Sequence, residues 1–153
     1  MSYLKACIKE TMRMFPVVIG NGRCTTSNYV IGGYQVPKGV QVIFQHYVIS
    51  NLDEYFPRSS EFMPERWLSR QQNIDRHNFA SLPFGFGRRM CLGRRFADME
   101  MQILISKIIA NYKIEYNYPE LDYHIHPMYT PNGPLKFKFE RRQTSMSTVP
   151  MTS

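Results

Sequence analysis

The stretch between residues 52 and 84 most constrains the fold of this chain, because it shows no helical or strand periodicity and contains Pro57, Pro64 and Pro83. Unpatterned connections of this length are uncommon inside a compact domain, and those that occur usually serve a function. A weakly patterned segment cannot bury enough apolar surface to order itself. The rest of the sequence therefore has to supply an anchor for it.

The residues before this stretch predict a helix followed by short strands. Apolar residues recur at helical spacing from Leu4 to Phe15, and Pro16 ends the helix. Short β runs broken by Gly-Gly and Pro-Lys-Gly turns then predict a small antiparallel sheet, and one helical turn follows. The runs are Tyr29 to Ile31, Val36 and Val40 to Phe44, and the turn is His46 to Asn51.

The residues after the stretch predict a long helix and a hairpin. Apolar positions from Cys91 to Lys113 recur as in an amphipathic helix of about six turns. The sequence Pro-Asn-Gly-Pro at 131–134 predicts a hairpin turn leading into the alternating Leu135, Phe137 and Phe139. We expect a mainly α fold with small antiparallel β-sheets (α+β) over residues 1–140, and a disordered tail over residues 141–153.

Composition excludes several classes of protein. The 153 residues contain 19 Lys+Arg and 12 Asp+Glu, a net charge of +7, with 43% hydrophobic and 20% charged residues. These fractions are typical of globular chains and argue against wholesale disorder. No apolar run approaches the roughly 18 residues of a membrane-spanning helix, and we expect no targeting segment at the N-terminus. Three cysteines without a CxxC pair argue against a disulfide framework or zinc ribbon and favour a reducing compartment.

One cysteine lies in a loop rich in glycine and arginine, directly before the long helix. The segment from Phe84 to Gly93 reads FGFGRRMCLG. A thiol near a helix N-terminus and among arginines is expected to act as a thiolate, that is, as a nucleophile or metal ligand. Gly85, Gly87 and Gly93 would let a flat group approach the backbone, and arginines can clamp its anionic groups. A planar metal cofactor that carries carboxylates satisfies all three requirements.

Simpler interpretations of these residues remain open at this point. A free cysteine is usually a small buried hydrophobe, and we expect that role for Cys7 and Cys24. Glu10 and Arg13 share a face of the first helix, and three residues is also the spacing of an ordinary surface ion pair. A third charged group from the proline-rich stretch would turn that pair into an anchor.

The segment from Phe84 to Gly93 contains the pattern FxxGxRxCxG, and with it the chain resembles the haem-thiolate monooxygenases of the cytochrome P-450 family. Glu10 and Arg13 match that family's ExxR, and the string PERW at 64–67 resembles its PERF motif. The resemblance extends to about Glu140 and covers the C-terminal part of the family's fold. It implies that Arg66 completes a triad with Glu10 and Arg13 and holds the long stretch in place.

The resemblance also implies roles for individual residues. Cys91 corresponds to the axial ligand of haem b, iron protoporphyrin IX, and its thiolate favours cleavage of the O–O bond. Phe84 is expected beside the sulfur, and Arg89 and Arg23 are expected to bind haem propionates. The three residues Val17, Val18 and Ile19 match a substrate-contacting loop, and the region from Tyr123 to Thr130 matches another. His46, His77, His124 and His126 show no ligand spacing, so we interpret them as ordinary loop or surface histidines.

Basic residues divide between the cofactor and a protein partner. Lys5 and Lys9 on the first helix, with Arg94 and Arg95 at the start of the long helix, resemble the site at which mitochondrial members of the family bind an acidic, adrenodoxin-like ferredoxin. Positive patches steer acidic partners, although a merely solvated basic face is the alternative. The resemblance implies electrons from NADPH through ferredoxin reductase and ferredoxin, and a location on the matrix side of the mitochondrial inner membrane, with the endoplasmic reticulum as the alternative. Nucleic acid is not expected as a partner.

One part of the family pattern is missing from these residues. The oxygen-activating acid–Thr pair of the family lies upstream of ExxR, and we expect membrane association to depend on missing parts as well. The expected whole-protein reaction inserts one atom of O2 into a lipophilic substrate, sterol-like or foreign. We expect this chain alone to be inactive. The alternative is a truncated or degenerate, non-catalytic chain that binds haem or ferredoxin.

Overall fold

A computed structural model describes residues 1–68, 77, 79–125 and 128–143. Within these ranges the chain forms three α-helices, two short 3₁₀ turns and eight strands arranged as four antiparallel pairs. The predicted class, helices with small antiparallel sheets, is confirmed. Parts of the unpatterned stretch, His126 and most of the predicted tail lie outside the described residues.

The first helix, α1, spans Ser2–Met14 and ends where the sequence predicts. Phe15 leaves the helical region because Pro16 follows it, and its N–H still donates to Thr11 O at 2.8 Å. The buried face of α1 carries two apolar residues, Ala6 and Ile8, but also two charged ones, Glu10 and Arg13. Charged residues therefore occupy the most buried side of this helix.

Four short strands and a five-residue helix follow α1. Strand β1 (Asn21–Cys24) pairs with β4 (Gln41–Phe44), and the hairpin of β2 (Tyr29–Ile31) and β3 (Tyr34–Val36) lies between them in sequence. Gly32 and Gly33 have φ values of 58° and 85° and form the hairpin turn, which requires positive φ at both positions. Helix α2 (His46–Ser50) then leads into the unpatterned stretch. The predicted runs and turn are all present.

The unpatterned stretch is anchored on Glu10. Its carboxylate accepts hydrogen bonds from Arg13 Nε and Nη2 at 3.0 and 2.9 Å and from Arg66 Nε at 3.0 Å. The Met63 N–H and Trp67 Nε1 also donate to it, at 3.1 and 2.8 Å. Arg66 and Trp67 belong to the 3₁₀ turn Pro64–Trp67. The structure thus joins the three triad residues and adds a tryptophan that the sequence did not indicate.

The two arginines also hold the chain that precedes this turn. Arg13 donates to the carbonyl oxygens of Ser50 and Ser59 at 2.9 and 2.8 Å. Arg66 donates to the carbonyl oxygens of Pro57 and Arg58 at 3.1 and 3.3 Å. Segments without regular secondary structure have no backbone partners of their own, and here guanidinium groups satisfy their carbonyls.

The long helix, α3, spans Arg94–Asn111 and is shorter than predicted at both ends. Cys91 lies before the helix, in the loop, where its N–H donates to Phe84 O at 2.9 Å. Gly93 is the N-cap, and Tyr112 already has extended backbone angles. The apolar residues of α3 that define its predicted stripe are exposed: Phe96, Met99, Ile103 and Leu104.

The predicted hairpin across residues 131–134 is wrong. Strand β7 (Tyr129–Pro131) pairs instead with β6 (Tyr123–Ile125), and β8 (Lys138–Arg141) pairs with β5 (Tyr112–Glu115) at the end of α3. A two-residue hairpin needs the N–H of the residue after Asn-Gly, and Pro134 has none. Strand β8 includes Arg141, and Arg142 N–H donates to Asn111 O at 2.7 Å, so the ordered chain extends beyond the predicted start of the tail.

Within the described ranges, we find no helix that is both long enough and apolar enough to span a bilayer.

Replacing Glu10 by alanine is expected to lower the free energy of unfolding by about 3 kcal/mol or more, because Arg13 and Arg66 would stay buried without their counter-ion. The control is Glu61→Ala, which removes the exposed ion pair with Arg58 and is expected to cost less than about 1 kcal/mol. Urea unfolding followed by circular dichroism measures both. Equal losses for the two variants would show that the triad is no anchor.

The carboxylate of Glu10 is also expected to make the stability of the fold sensitive to acid. Burial alone would raise the pKa of Glu10, but hydrogen bonds from Arg13, the Met63 N–H and Trp67 outweigh it and hold the pKa below its usual range. The stability that this group contributes is therefore present above the unfolded-state pKa, about 4.3. It is lost as the pH falls through the lower folded-state value.

Candidate functional site

The loop from Phe84 to Cys91 is closed by its own backbone. Gly85 N–H donates to Leu82 O at 2.9 Å, Met90 N–H to Gly87 O at 3.0 Å, and Cys91 N–H to Phe84 O at 2.9 Å. Gly85 and Gly87 have φ values of 71° and 73°, which non-glycine residues rarely adopt. The loop shape therefore requires two of the three glycines that the sequence singled out.

Cys91 is a free, exposed cysteine at the end of this loop. The interpretation as a small buried hydrophobe is therefore wrong for Cys91, and it is also wrong for Cys24, which is exposed on β1. Cys7 is half-buried, and burial raises the pKa of its thiol. Because α3 begins at Arg94, Cys91 precedes the first turn of the helix, and the neighbouring arginines supply the positive charge near the sulfur.

An opening of about 660 Å³ lies in front of the Cys91 sulfur. Arg94, Arg95 and one carboxylate, Asp98, line it together with the thiol and the apolar Met90 and Leu92. Leu92 is fully exposed. A Cβ at Gly93 would lie 4.0 Å from the Cys91 Sγ. A single exposed sulfur beside apolar side chains and cations fits a flat, anionic metal cofactor held through one protein ligand, as haem is in its thiolate form.

A second cavity, of about 310 Å³, borders the same loop. Gly85 and Phe86 of the loop line it, and Arg23 on β1 and His46 on α2 line it from the sheet side. Of the residues predicted to bind the cofactor, the structure therefore brings Arg23 and Gly85 together. Arg89 lies exposed in the 3₁₀ turn Gly87–Arg89, and it is in neither set of lining residues among those the structure describes.

A groove of about 200 Å³ lies behind Phe84, between α1 and the start of α3. Lys9, Arg94 and one carboxylate, Asp98, line it with Trp67 and the half-buried Phe84, and Arg94 Nε lies 3.9 Å from Asp98 Oδ2. The Lys9 ammonium lies 5.7 Å from the centre of the Trp67 ring, and the Arg94 guanidinium lies 5.9 Å from that of Phe84. Two of the four predicted docking residues thus meet across one groove. Lys5 is exposed one turn earlier on α1, and Arg95 lies at the Cys91 opening.

The two segments predicted to contact substrate lie next to each other. Val18 forms a β-bridge with Met128, and Tyr129 N–H donates to Val17 O at 2.9 Å. Ile19 O accepts from the Tyr47 N–H at 2.9 Å. Val17 and Val18 are exposed, at 59% and 39%. The structure brings these segments together through backbone hydrogen bonds.

Sequence reasoning missed three contributors to this region. Trp67 joins the anchor to the groove, and its position in the PERW string was the available signal. His46 was interpreted as an ordinary loop residue, but it is half-buried in the second cavity. Asn21 contacts it, with 2.6 Å between Asn21 Nδ2 and His46 Nε2. No residue spacing in the sequence links Asn21 with His46.

Comparisons with known proteins agree on one family. A family model described as Cytochrome P450 matches residues 1–139. The chain is 55% identical over 144 residues to the Drosophila melanogaster protein named probable cytochrome P450 301a1, mitochondrial, a match that covers 92% of this chain and 26% of that protein. It is 52% identical over 150 residues to probable cytochrome P450 49a1 of the same organism, a match that covers 93% of this chain and 26% of that protein. It is 38% identical over 142 residues to cytochrome P450 27C1 of Danio rerio, a match that covers 92% of this chain and 26% of that protein.

The chain therefore spans about a quarter of the length of these curated relatives.

The loop geometry predicts different responses to two glycine replacements. Gly87→Ala is expected to destabilise the chain by about 1–2 kcal/mol, because a Cβ is strained at a φ of 73° although nothing described lies within 4 Å of it. Gly93→Ala is the matched control, since its φ of −80° suits alanine and the new Cβ would make only an ordinary contact with Cys91 Sγ. Thermal unfolding measures both. A melting temperature that falls equally in the two variants would contradict the assignment of strain to Gly87.

Proposed function

Because the chain belongs to the cytochrome P450 family, we propose that its residues hold the thiolate side of a haem b in a monooxygenase, one that inserts an oxygen atom of O2 into a lipophilic substrate, sterol-like or foreign. The observation that carries the proposal is the exposed Cys91 at the end of a glycine-shaped loop with FxxGxRxCxG spacing. The activity proposed is that of the whole protein.

The proposal gives each element of the site a task. Bound haem supplies the redox chemistry of oxygen, with a thiolate ligand favouring cleavage of the O–O bond. Cys91 would supply that ligand, and Gly93 beside the sulfur and Gly85 in the Arg23 cavity would let the haem approach the backbone. Arg23 and Arg89 would bind the propionates by charge-assisted hydrogen bonds. Val17, Val18 and Ile19, with the adjacent Met128, would contact the substrate.

A second candidate function is haem or ferredoxin binding without catalysis by these residues alone. Oxygen chemistry requires a site that excludes water. In the described residues, however, the side of the loop beside Cys91 is open, with Leu92 fully exposed and Phe96 65% exposed. Exposed apolar surface of this kind marks an interaction surface. We therefore expect the 153 residues to show no monooxygenase activity by themselves.

Electrons would enter through the groove between α1 and α3. Lys9 and Arg94 line it with Phe84, and Lys5 extends the basic surface by one helical turn. Asp98 also lines the groove and offsets part of the Arg94 charge, so the positive surface depends mainly on Lys5 and Lys9. An acidic, adrenodoxin-like ferredoxin, reduced by NADPH through ferredoxin reductase, fits this charge. Several relatives are named mitochondrial, which supports a mitochondrial location for the whole protein, on the matrix side of the inner membrane.

The haem ligand can be tested directly on this chain and on the longest form of the protein. After addition of haem, reduction and carbon monoxide, the parent is expected to show the absorption band of a thiolate-bound haem. Cys91→Ser is expected to abolish the band, whereas Cys24→Ser, which removes the other exposed cysteine, is expected to keep it. A thiolate band that survives Cys91→Ser would exclude Cys91 as the ligand.

Ferredoxin docking predicts a charge-specific loss of affinity. Lys9→Glu is expected to weaken binding of an acidic ferredoxin about tenfold or more and to reduce the salt dependence of binding, because the new carboxylate repels the partner. Lys107→Glu makes the same charge change at an exposed position of α3 that does not line the groove. It is expected to lower the affinity for ferredoxin by less. Titration at several salt concentrations measures both. If both variants lose the same affinity for ferredoxin, binding depends on the net charge of the chain and not on the position of Lys9 in the groove.

A further inference from the structure

The cavity that contains Arg23 is built from three parts of the chain. β1 contributes Asn21 and Arg23, α2 contributes His46, and the cysteine loop contributes Gly85 and Phe86. A Cβ at Gly85 would lie 3.6 Å from Asn21 Nδ2, so the loop backbone passes close to that amide. Residues of one loop therefore line both the cavity and the Cys91 opening.

His46 faces this cavity with one ring nitrogen engaged. Its Nε2 lies 2.6 Å from Asn21 Nδ2. An amide nitrogen can only donate, so in this arrangement Nε2 accepts and the ring is neutral, with its proton on Nδ1. A protonated ring would donate from both nitrogens, and Asn21 would then have to turn its amide oxygen toward His46.

The surroundings of His46 favour the neutral ring. Among the described residues that line the cavity, only Arg23 and His46 carry ionisable side chains, and the walls contributed by β4 and by residues 79–86 are apolar or backbone. Burial lowers the pKa of His46, and the positive charge of Arg23 lowers it further. The described lining thus places one cation beside one titratable ring, an arrangement that suits a carboxylate ligand.

We propose that His46 is a second carboxylate-binding group of this cavity, taking up a proton when a porphyrin propionate enters beside Arg23. The inference rests on the proposed haem function and extends it to a residue outside the family motif quoted above. An entering carboxylate would offset the charge of Arg23 and accept a hydrogen bond from the imidazolium. One proton, taken from solvent, is bound at His46 for each propionate bound, and no covalent bond changes.

The sign of the pH dependence follows from this uptake. A carboxylate raises the pKa of His46 above its value in the empty cavity, so binding is tighter at low pH and weakens as the pH rises through the bound-state pKa. A rise of about one pKa unit corresponds to about a tenfold change in affinity.

The test uses metal-free deuteroporphyrin IX, which carries two propionates and cannot bind through Cys91. Its affinity for the full chain, measured by fluorescence, is expected to fall about tenfold between about pH 5.5 and about pH 8, a range in which the propionates stay ionised. His46→Gln is expected to remove this dependence. His124→Gln, which alters an exposed histidine on β6, is expected to keep it. The dimethyl ester is expected to bind with no such dependence in any variant.

A second measurement covers the case in which His46→Gln does not fold. In the parent, the NMR titration of the His46 ring is expected to move to higher pH when deuteroporphyrin IX is added, and to stay in place with the dimethyl ester. A His46 titration that the porphyrin leaves unchanged, or a pH dependence that persists in a folded His46→Gln variant, would overturn the inference.

These outcomes are separate from those that test the haem ligand. If Cys91 produces the thiolate band and His46 does not respond, the proposed function stands and the carboxylate site is wrong. If His46 responds to the porphyrin but the band survives Cys91→Ser, the cavity binds carboxylates and the haem ligand is wrongly assigned.

Discussion

The buried carboxylate of Glu10 is the interaction on which the rest of the structure depends. Glu10, Arg13 and Phe56 are the largest side chains that are fully buried, so the centre of the described chain is partly ionic. Two guanidinium groups, a backbone N–H and an indole N–H surround one carboxylate, which satisfies its acceptor capacity. Such an ion cluster is a weak source of net stability compared with apolar packing, but removal of one partner leaves a buried charge. Its contribution is therefore to select one path for residues 50–67.

That path places the anchor next to the functional loop. Trp67 donates to Glu10 through its indole nitrogen, and its ring lies in the groove with Phe84, the first residue of the loop that ends at Cys91. Lys9, the neighbour of Glu10 on α1, lies over the indole ring in the same groove. One turn of helix thus contributes both the buried anchor and the exposed positive charge. The unpatterned stretch runs from this anchor to Phe84, the first residue of the cysteine loop.

Much of this arrangement could be predicted because local rules govern it. Pro16 ends α1, and two glycines form the β2–β3 turn. The spacing of Phe84, Gly87, Arg89, Cys91 and Gly93 marked the loop in the sequence. Two predictions failed for different reasons. The apolar pattern assigned to α3 extended into the cysteine loop, where the Cys91 N–H bonds to Phe84 O and the helix has not begun. Pro134 has no N–H for the predicted hairpin, and β8 pairs with the distant β5. The contact between Asn21 and His46 depends on the β1–β4 register and on α2, and residue spacing cannot show it.

The basic residues that give this chain its net charge of +7 include two groups with different surroundings. Arg23 is exposed on β1 and lines a cavity with the half-buried His46, and Lys9 and Lys5 are exposed on α1. Mobile ions screen the field of exposed charges over about 8 Å at physiological ionic strength. The two groups of cations therefore differ in what lies beside them and not in their exposure. The lysines would act on the rate at which an acidic protein arrives, and that action weakens with salt. Arg23 would act at hydrogen-bond range on an anion in the cavity, where the geometry of the bound anion contributes to affinity.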